Sequence, residues 1–332
     1  MDDGLMRITR RALFSIAAVA GLPVSARAAS ARFQLATTFS GKITYSRNSS
    51  IWVWENGQTS EILNGDNISD PRWSPDGSSL IYVRTGNSFS DLYTYSLTSG
   101  AETQLTANQP PYDIGSVEYM QNSSWVIDPD WSKSGLIGFI SDAVPAQGAL
   151  AVFLMSSVAE APYLALMPET YEEDIFNLQL SADGSLAIYT VRVRLGDASS
   201  GTYVALRDLN NGSAYQLAES KGDQFDPALS PDNAWAAMTI RDQSGVTDLW
   251  IVHIESGERT RLTRGQNAMS PRWSPNGQSI AWIRMDNYKF EIWAATFENG
   301  NISGETRLVD EDGIDPLGGL SWWMDSSINA GG

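Results

Sequence analysis

Short runs of apolar residues alternate with polar turn residues along most of this chain. The runs are rich in β-branched and aromatic residues, and dipeptides such as Ser99-Gly100 and Asn211-Gly212 lie between them. Short apolar runs with such boundaries predict β-strands, and the glycine supplies the positive φ that a tight hairpin needs. The pattern therefore predicts an all-β protein.

One turn phrase returns along the chain at steps of 44 to 58 residues, the length of four short strands with their turns. Its Pro, Asp and Gly all favour turns, so we expect its serines to be structural. The copies are Trp73-Ser74-Pro75-Asp76-Gly77, Trp131-Ser132-Lys133-Ser134-Gly135, Leu180-Ser181-Ala182-Asp183-Gly184, Leu229-Ser230-Pro231-Asp232-Asn233, Trp273-Ser274-Pro275-Asn276-Gly277 and a degraded Trp322-Trp323-Met324-Asp325-Ser326.

The two ends of the repeat region predict one shared blade. Residues 41–63 give three strands without an innermost one, and residues 319–323 give a lone strand of the innermost type. Pairing that last strand with the first three closes the ring and leaves no exposed sheet edge. Together with five blades that begin near residues 70, 128, 177, 226 and 270, this predicts a six-bladed β-propeller of four-stranded blades.

The repeats resemble those of TolB-like six-bladed propellers over about residues 39–326. The resemblance rests on the turn phrase with the residues before it, as in 70–77 and 270–277, on the strand Asp91-Leu92-Tyr93 and on the ending Leu105-Thr106. It implies the fold and not one function, because similar blades occur in periplasmic Tol proteins, prolyl-oligopeptidase-type enzymes and tricorn-type proteases. We expect the chain to correspond to the propeller part of TolB, without its N-terminal α/β domain.

The N-terminal residues predict an export signal. Arg7, Arg10 and Arg11 precede an apolar stretch over 12–22 that is too short to span a bilayer, and Ala26-Arg27-Ala28 offers a cleavage site. The arginine pair favours the twin-arginine route, and a general secretory signal is the alternative. We expect a signal peptide over 1–28, a linker over 29–38, one propeller domain over 39–326 and a disordered tail over 327–332.

Charge and cysteine content restrict the partners. Cleavage after Ala28 leaves 18 basic and 37 acidic residues, a net charge of −19, which disfavours nucleic acid and anionic membrane surfaces. The chain has no cysteine, so disulfides and lipoprotein acylation are excluded and packing must supply the stability. We expect a soluble monomer, periplasmic or secreted, that is not inserted in a membrane.

Catalytic motifs are scarce. His253 is the only histidine and lies on the predicted strand 249–254, and no Gly-x-Ser-x-Gly elbow occurs. Metal-dependent and nucleophile-base sites usually combine histidine with several partners, so we expect no catalytic residues and a non-enzymatic binding scaffold. The alternative is a divalent-metal-dependent, lactonase-like hydrolase of small molecules.

Two long connections, 107–127 and 168–176, are expected side by side on one propeller face. Aromatic residues among carboxylates suit a protein, peptide or glycan partner from the envelope or the exterior, although long loops that pack their own aromatics would look similar. The predicted partner-binding residues are Tyr112, Asp113, Glu118, Tyr119, Tyr171, Glu172, Glu173 and Asp174.

Several innermost strands open with Asp-Pro, at Asp70, Asp128 and Asp226, and Asp315-Pro316 is displaced by a longer connection. These carboxylates would ring the mouth of the central channel. They could hold Ca²⁺, with Asp128 and Asp226 as candidate ligands, or a cationic peptide end. The alternative is that each Asp bonds the turn backbone ahead of its Pro. No other cofactor is expected.

Overall fold

The computed structural model describes residues 39–143, 149–170, 172–195, 198–217 and 222–325. The predicted signal peptide, linker and tail lie outside the described residues. Within the described part of the chain, no helix is long and apolar enough to cross a membrane.

Six four-stranded antiparallel sheets make up the described structure, as the sequence predicts. We number them as blades 1 to 6 in chain order. The strands of blades 1 to 3 are β1 (Lys42–Arg47), β2 (Ser50–Glu55) and β3 (Gln58–Leu63) in blade 1; β4 (Ile68–Trp73), β5 (Ser79–Thr85), β6 (Ser90–Ser96) and β7 (Glu102–Gln104) in blade 2; and β8 (Val126–Trp131), β9 (Ile137–Ser141), β10 (Ala151–Met155) and β11 (Tyr163–Leu166) in blade 3.

The second half of the chain repeats this order, and its last strand returns to blade 1. A short helix, α1 (Val117–Asn122), lies in the connection from blade 2 to blade 3. The remaining strands are β12 (Glu173–Leu180), β13 (Leu186–Leu195), β14 (Ala198–Asp208) and β15 (Ala214–Gln216) in blade 4; β16 (Asp223–Leu229), β17 (Trp235–Arg241), β18 (Thr247–His253) and β19 (Arg259–Arg261) in blade 5; β20 (Ala268–Trp273), β21 (Ser279–Asp286), β22 (Lys289–Glu298) and β23 (Asn301–Val309) in blade 6; and β24 (Leu320–Trp323) in blade 1.

Strand β24 closes the ring. It pairs antiparallel with β1, from Lys42 opposite Trp323 to Tyr45 opposite Leu320. The sheet order of blade 1 is therefore β24-β1-β2-β3, with the C-terminal strand innermost. The predicted closure is confirmed.

The turn phrase folds through its own side chains. In blade 2 the Ser74 hydroxyl donates to Asp76 Oδ1 at 2.6 Å and accepts from the Ser79 N–H at 3.0 Å, while Asp76 Oδ1 accepts from the Ser78 N–H at 3.0 Å. These hydrogen bonds hold the pKa of Asp76 below its usual value. Gly77 follows with a φ of 69°. The serine is structural, as expected, because both of its hydrogen-bonding roles serve the turn.

The hydrophobic core forms a ring between the blades. The buried side chains of the described residues form six clusters, each shared by two neighbouring blades. Between blades 1 and 6, for example, Ile43 and Tyr45 pack with Ile283 and Ile292. Each blade is therefore stabilised on both faces by its neighbours.

The third strand of several blades begins with a buried acid that is bound to the end of the fourth strand. In blade 5, Asp248 Oδ1 accepts from the Thr263 hydroxyl at 2.7 Å, and Thr263 Oγ1 accepts from the Leu249 N–H at 2.9 Å. Asp91 and Thr106 make the same pair in blade 2 at 2.9 Å. This contact explains why an acidic residue and a Leu-Thr ending recur together.

Candidate functional site

Each innermost strand from β4 to β20 carries a bulge at one equivalent place. In β4, Ser69 pairs with Val83 and Arg72 with Ile81, so Asp70 and Pro71 together face a single residue of β5. Asp and Asn tolerate a left-handed backbone well, and Pro has no N–H to leave unpaired in a bulge. The equivalent residues of the six blades, which we call the mouth ring, all have φ between 48° and 62°: Asp70, Asp128, Asn177, Asp226, Ser270 and Gly319.

Side chains of the mouth ring bind the backbone of the next blade. Asp128 Oδ2 accepts from the Asn177 N–H at 2.9 Å, and Asn177 Oδ1 accepts from the Asp226 N–H at 3.4 Å. Asp226 Oδ2 accepts from the Ser270 N–H at 3.2 Å and from its hydroxyl at 3.1 Å. The carboxylates of Asp128 and Asp226 therefore join neighbouring blades, a role that neither of the two sequence interpretations includes.

Asp315 does not belong to the mouth ring. Its Oδ1 accepts from the Leu317 N–H at 3.0 Å, within its own turn, and its N–H donates to the Ser46 carbonyl at 2.9 Å. Gly319 occupies the ring position of blade 1 with a φ of 62°. Asp315 lies in this self-capped turn beside the ring, where the Pro316 carbonyl accepts from the Ser270 hydroxyl at 3.2 Å.

A second layer of charged residues lies two positions farther along the innermost strands. Asp130 Oδ1 is 3.9 Å from Arg72 Nε and 3.8 Å from Arg272 Nη1, and Asp130 Oδ2 accepts from the Leu180 N–H at 2.8 Å. These residues come from blades 2, 3 and 6, so the charges meet across the channel. Sequence reasoning missed this layer, for which the motifs Pro-Arg-Trp and Pro-Asp-Trp were the available signal.

Burial perturbs the channel charges in opposite directions. It raises the pKa of Asp226 to about 6, with the Asp128 charge adding to the rise and the Ser270 hydrogen bonds and Arg272 opposing it. Burial lowers the pKa of Arg272 to about 10, with the Arg72 charge adding to the fall and Asp130 and Asp226 opposing it. The mouth thus holds guanidinium groups beside its carboxylates.

The carboxylates of the mouth ring were also candidate metal ligands. Within the described residues, no group of three or more His, Cys, Asp or Glu side chains is arranged to hold a metal ion. Asp128 and Asp226 already accept hydrogen bonds from blade backbones. Calcium binding by these two residues stays a prediction.

The connection from blade 2 to blade 3 is held firmly by its buried side. Tyr119 is 1% exposed and donates its hydroxyl to the Asn87 carbonyl at 2.7 Å. Ser116 caps α1 by accepting from the Tyr119 N–H at 3.0 Å. The expectation that Tyr119 contacts a partner is corrected, because its side chain is part of the fold.

The opposite side of the same connection is exposed and apolar. Tyr112 is 47% exposed, Ile114 63%, Val117 66% and Met120 41%. Asp113 and Glu118 lie exposed among them. We call residues 112–120 the loop patch. Sequence reasoning named Tyr112, Asp113 and Glu118 and missed the three aliphatic residues, whose apolar character in a polar connection was the available signal.

The second predicted segment is divided between surface and core. Glu172 is exposed, whereas Asp174 is 3% exposed and pairs with Arg192 at 2.6 Å and Arg194 at 2.8 Å. Asp174 therefore forms ion pairs within the fold, and its carboxylate is not exposed for contact with a partner. Tyr171 lies outside the described residues.

The two segments flank the connection from β9 to β10. The Trp125 N–H donates to Asp142 Oδ1 at 2.7 Å on one side, and the Ile175 N–H donates to the Leu150 carbonyl at 3.4 Å on the other. Residues 144–148 between them are outside the described residues. A single patch formed by both segments stays a prediction.

A cleft of about 200 Å³ lies between blade 3 and blade 4. Its walls are the end of β11, the residues 167–169 that follow it, and strands β12 to β15. The polar and aromatic side chains that line it are Glu169, Glu173, Tyr189, Tyr203, Arg207 and Tyr215. Only Glu173 was among the predicted residues.

His253 takes part in a surface turn. Its Nδ1 accepts from the Ser256 N–H at 3.2 Å and lies 3.0 Å from the Ser256 hydroxyl. The ring packs edge-on against Trp235 at a centroid distance of 4.7 Å. These contacts give His253 a structural role in the turn at the end of β18.

Solved structures with this architecture include TolB proteins. No family model matches the chain. TolB from Acinetobacter baumannii superposes with a TM-score of 0.63 at 20% identity, covering 85% of this chain and 66% of that one. A protein described as TolB from Agrobacterium tumefaciens gives 0.60 at 17% identity, covering 86% and 99%. The propeller of the nidogen/laminin complex gives 0.59 at 8% identity, covering 85% and 98%. The fold is thus a TolB-like six-bladed β-propeller.

Sequence relatives point in more than one functional direction. The uncharacterised protein Atu1656 of Agrobacterium fabrum is 25% identical over 79% of this chain and 76% of its own length. The peptidase YuxL of Bacillus subtilis is 25% identical over 56% of this chain, and dipeptidyl-peptidase 5 of Porphyromonas gingivalis is 26% identical over 37%. The match spans 32% of YuxL and 19% of dipeptidyl-peptidase 5.

These matches overturn one expectation. The absence of a recognised catalytic motif led us to expect a non-enzymatic protein, yet repeats of this kind occur in chains named as peptidases. A motif search fails here because similar blades serve proteins of different activity. The expectation that the protein is not an enzyme is therefore withdrawn.

Proposed function

We propose that this chain is an exported TolB-like propeller that binds a protein or peptide partner from the envelope or the exterior through the loop patch. One observation carries the proposal: four large apolar side chains lie exposed within nine residues on a single connection. Contiguous exposed apolar surface on a folded protein marks interaction sites. A buried aliphatic or aromatic side chain gains about 1.5–3 kcal/mol, so this patch can supply much of a binding free energy.

The patch is held ready for binding. The Tyr119 hydroxyl bond to Asn87 anchors the helix from below, and Ser90 Oγ both donates to the Val126 carbonyl at 2.6 Å and accepts from the Val126 N–H at 2.7 Å. A surface fixed in this way loses little conformational entropy when a partner binds. This favours a binding surface over a loop that merely covers its own aromatic residues.

Charge favours a partner that is basic around an apolar contact. Asp113 and Glu118 border the exposed side chains, and the whole chain carries a net charge of −17. Opposite charge at the rim of an interface accelerates association and makes it salt-dependent. Protein partners are also consistent with the nidogen/laminin complex among the similar folds.

The test compares surface variants against one captured partner. The protein is used to capture partners from an envelope extract, a captured protein is purified, and its binding kinetics are measured. Ile114→Ser with Val117→Ser should speed dissociation by about tenfold or more, because apolar anchors mainly set the residence time. Leu97→Ser, on a turn of the opposite face and 37% exposed, is the matched control and should change nothing. Equal effects of both variants would contradict the proposal.

Peptide processing is a second candidate, favoured by the similarity to YuxL and dipeptidyl-peptidase 5. It is tested by incubating the purified protein with fluorogenic dipeptidyl substrates. Peptide processing is supported if the cleavage activity co-purifies with the protein through two chromatographic steps and is lost when the protein is thermally unfolded. No release across a substrate panel would count against it.

A further inference from the structure

The cleft between blades 3 and 4 combines aromatic walls with an acidic rim. Tyr189 lies deepest, at 4% exposed, while Tyr215 at the mouth is 51% exposed. Glu169 is exposed at the rim, and its backbone N–H donates to Glu173 Oε2 at 3.2 Å. The site is therefore open to solvent at one end and closed by tyrosine at the other.

Negative charge dominates inside this cleft. Burial, together with the charges of Glu173 and Glu169, raises the pKa of Tyr203 to about 12. Burial raises the pKa of Tyr189, the charge and hydrogen bond of Arg207 oppose the rise, and the same two carboxylates add to it. Arg207 keeps its positive charge while it hydrogen-bonds Tyr189, so two carboxylates and one guanidinium leave the lining with a net negative charge.

The volume limits what can enter. About 200 Å³ is below the roughly 300–1,000 Å³ of sites for drug-sized ligands, so the cleft accepts one short chain or side chain. Tyrosine faces attract a cation in addition to packing against its methylene groups. A carboxylate pair at the rim favours a positive charge over a neutral polyol.

We propose that this cleft binds an alkylammonium group, a primary ammonium on a short aliphatic chain, supplied by a free amine or by a lysine side chain of a peptide. The aliphatic chain lies against Tyr203 and Tyr215, and the ammonium group is held by Glu169 and Glu173. The site is separate from the loop patch, so its test does not depend on the proposed partner.

Isothermal titration calorimetry with three probes tests the chemistry. Cadaverine represents the free amine, N-acetyl-lysine methylamide the peptide side chain, and N-acetyl-norleucine methylamide the same chain without charge. We expect a roughly millimolar dissociation constant for one or both cations and at least about tenfold weaker binding of the norleucine compound. Tighter binding of cadaverine assigns a free amine as the source, and tighter binding of the lysine compound assigns a peptide.

Two matched pairs of variants locate the binding. Glu169→Gln with Glu173→Gln should weaken cation binding by about tenfold, and Glu172→Gln, an exposed neighbour that does not line the cleft, should leave it unchanged. Tyr215→Leu should weaken it by about threefold, and Tyr163→Leu, also 51% exposed, should not.

The single change Glu169→Gln repeats the test if the double variant melts at a lower temperature. Equal binding of the norleucine compound, no binding of either cation, or unchanged affinity in the Glu169→Gln variant would overturn the proposal.

Discussion

The carboxylate of Asp226 accepts both the backbone N–H and the hydroxyl of Ser270, the residue at the same position of the next blade, at 3.2 Å and 3.1 Å. This contact joins blades 5 and 6 at the channel mouth. It places a carboxyl group among protein atoms and beside the charge of Asp128, and its pKa is raised to about 6. The joint between the blades is thus also a source of pH dependence.

Asp226→Asn should stabilise the protein at pH 7.5. The folded-state pKa lies above the unfolded value of 3.8, so the stability linked to this carboxyl is complete below pH 3.8 and is lost as the pH rises through about 6. Asn stays neutral at every pH and can still accept from Ser270, as Asn177 accepts from Asp226. We expect a gain of about 1–3 kcal/mol, or a melting temperature higher by about 2–6 °C.

Thermal melts of this variant at pH 7.5 and pH 4 check the sign, because the gain should disappear at the lower pH. Asp183→Asn is the control, since hydrogen bonds from Ser181 and Ser185 lower the pKa of Asp183. Asn276 occupies the same turn position in blade 6, so the fold accepts the change. The control should lose a little stability at pH 7.5. A gain for Asp226→Asn that persists at pH 4 would refute the electrostatic explanation.

Thr263→Val should destabilise blade 5. The hydroxyl is 1% exposed, donates to Asp248 and accepts from the Leu249 N–H, so valine leaves a buried donor unpaired. We expect a loss of about 1–3 kcal/mol in the free energy of unfolding, measured by urea denaturation. Thr306→Val, whose exposed hydroxyl binds only the Gly304 carbonyl, should stay within about 0.5 kcal/mol. Equal losses for both variants would show that the acid-threonine pair is not important.

Deleting residues 314–332 should open the ring. The deletion removes β24 and the buried side chains Ile314, Leu320 and Trp322, and it exposes the edge of β1. Burial of these side chains is worth on the order of 5–9 kcal/mol, comparable with the whole stability of a domain. We expect aggregation or loss of a cooperative melt. Deleting only residues 327–332 is the control and should have no effect; a cooperative melt of the longer deletion at the full-length temperature would contradict ring closure.

Export should depend on the arginine pair. Arg10→Lys with Arg11→Lys should leave precursor in the cytoplasm, as followed by cell fractionation and immunoblotting, because the twin-arginine route requires the pair. Arg7→Lys is the control and should be exported normally. Unchanged export in a strain without the twin-arginine translocase would show that a general secretory signal is used.

Local chemistry explains which features the sequence predicted. The turn phrase folds through residues at most five positions apart, such as Ser74, Asp76 and Ser79, so its structure follows directly from its letters. Once the phrase was counted, the number of blades and the closing strand followed from the period. The fold was predictable because each repeat carries its own turn signals.

Contacts between distant residues explain what the sequence did not predict. The acceptor role of Asp128 depends on Asn177, 49 residues away, and the burial of Tyr119 depends on Asn87, 32 residues away. The cleft is lined by the end of β11, by the connection after it and by strands β12 to β15, an arrangement of two blades that no single repeat encodes. Sequence reasoning therefore named residues of these connections but could not separate the anchoring residues from the exposed ones.

Photo-crosslinking from the loop patch tests the proposed function most directly. Benzoylphenylalanine replaces Val117 in the patch or, as a control, Leu97 on the opposite face, and cells that export the protein are irradiated. Both side chains are exposed, so both positions accept the probe. We predict a discrete crosslinked protein from position 117, absent from position 97 and reduced by Ile114→Ser. Crosslinks from position 97 with none from position 117 would contradict the account.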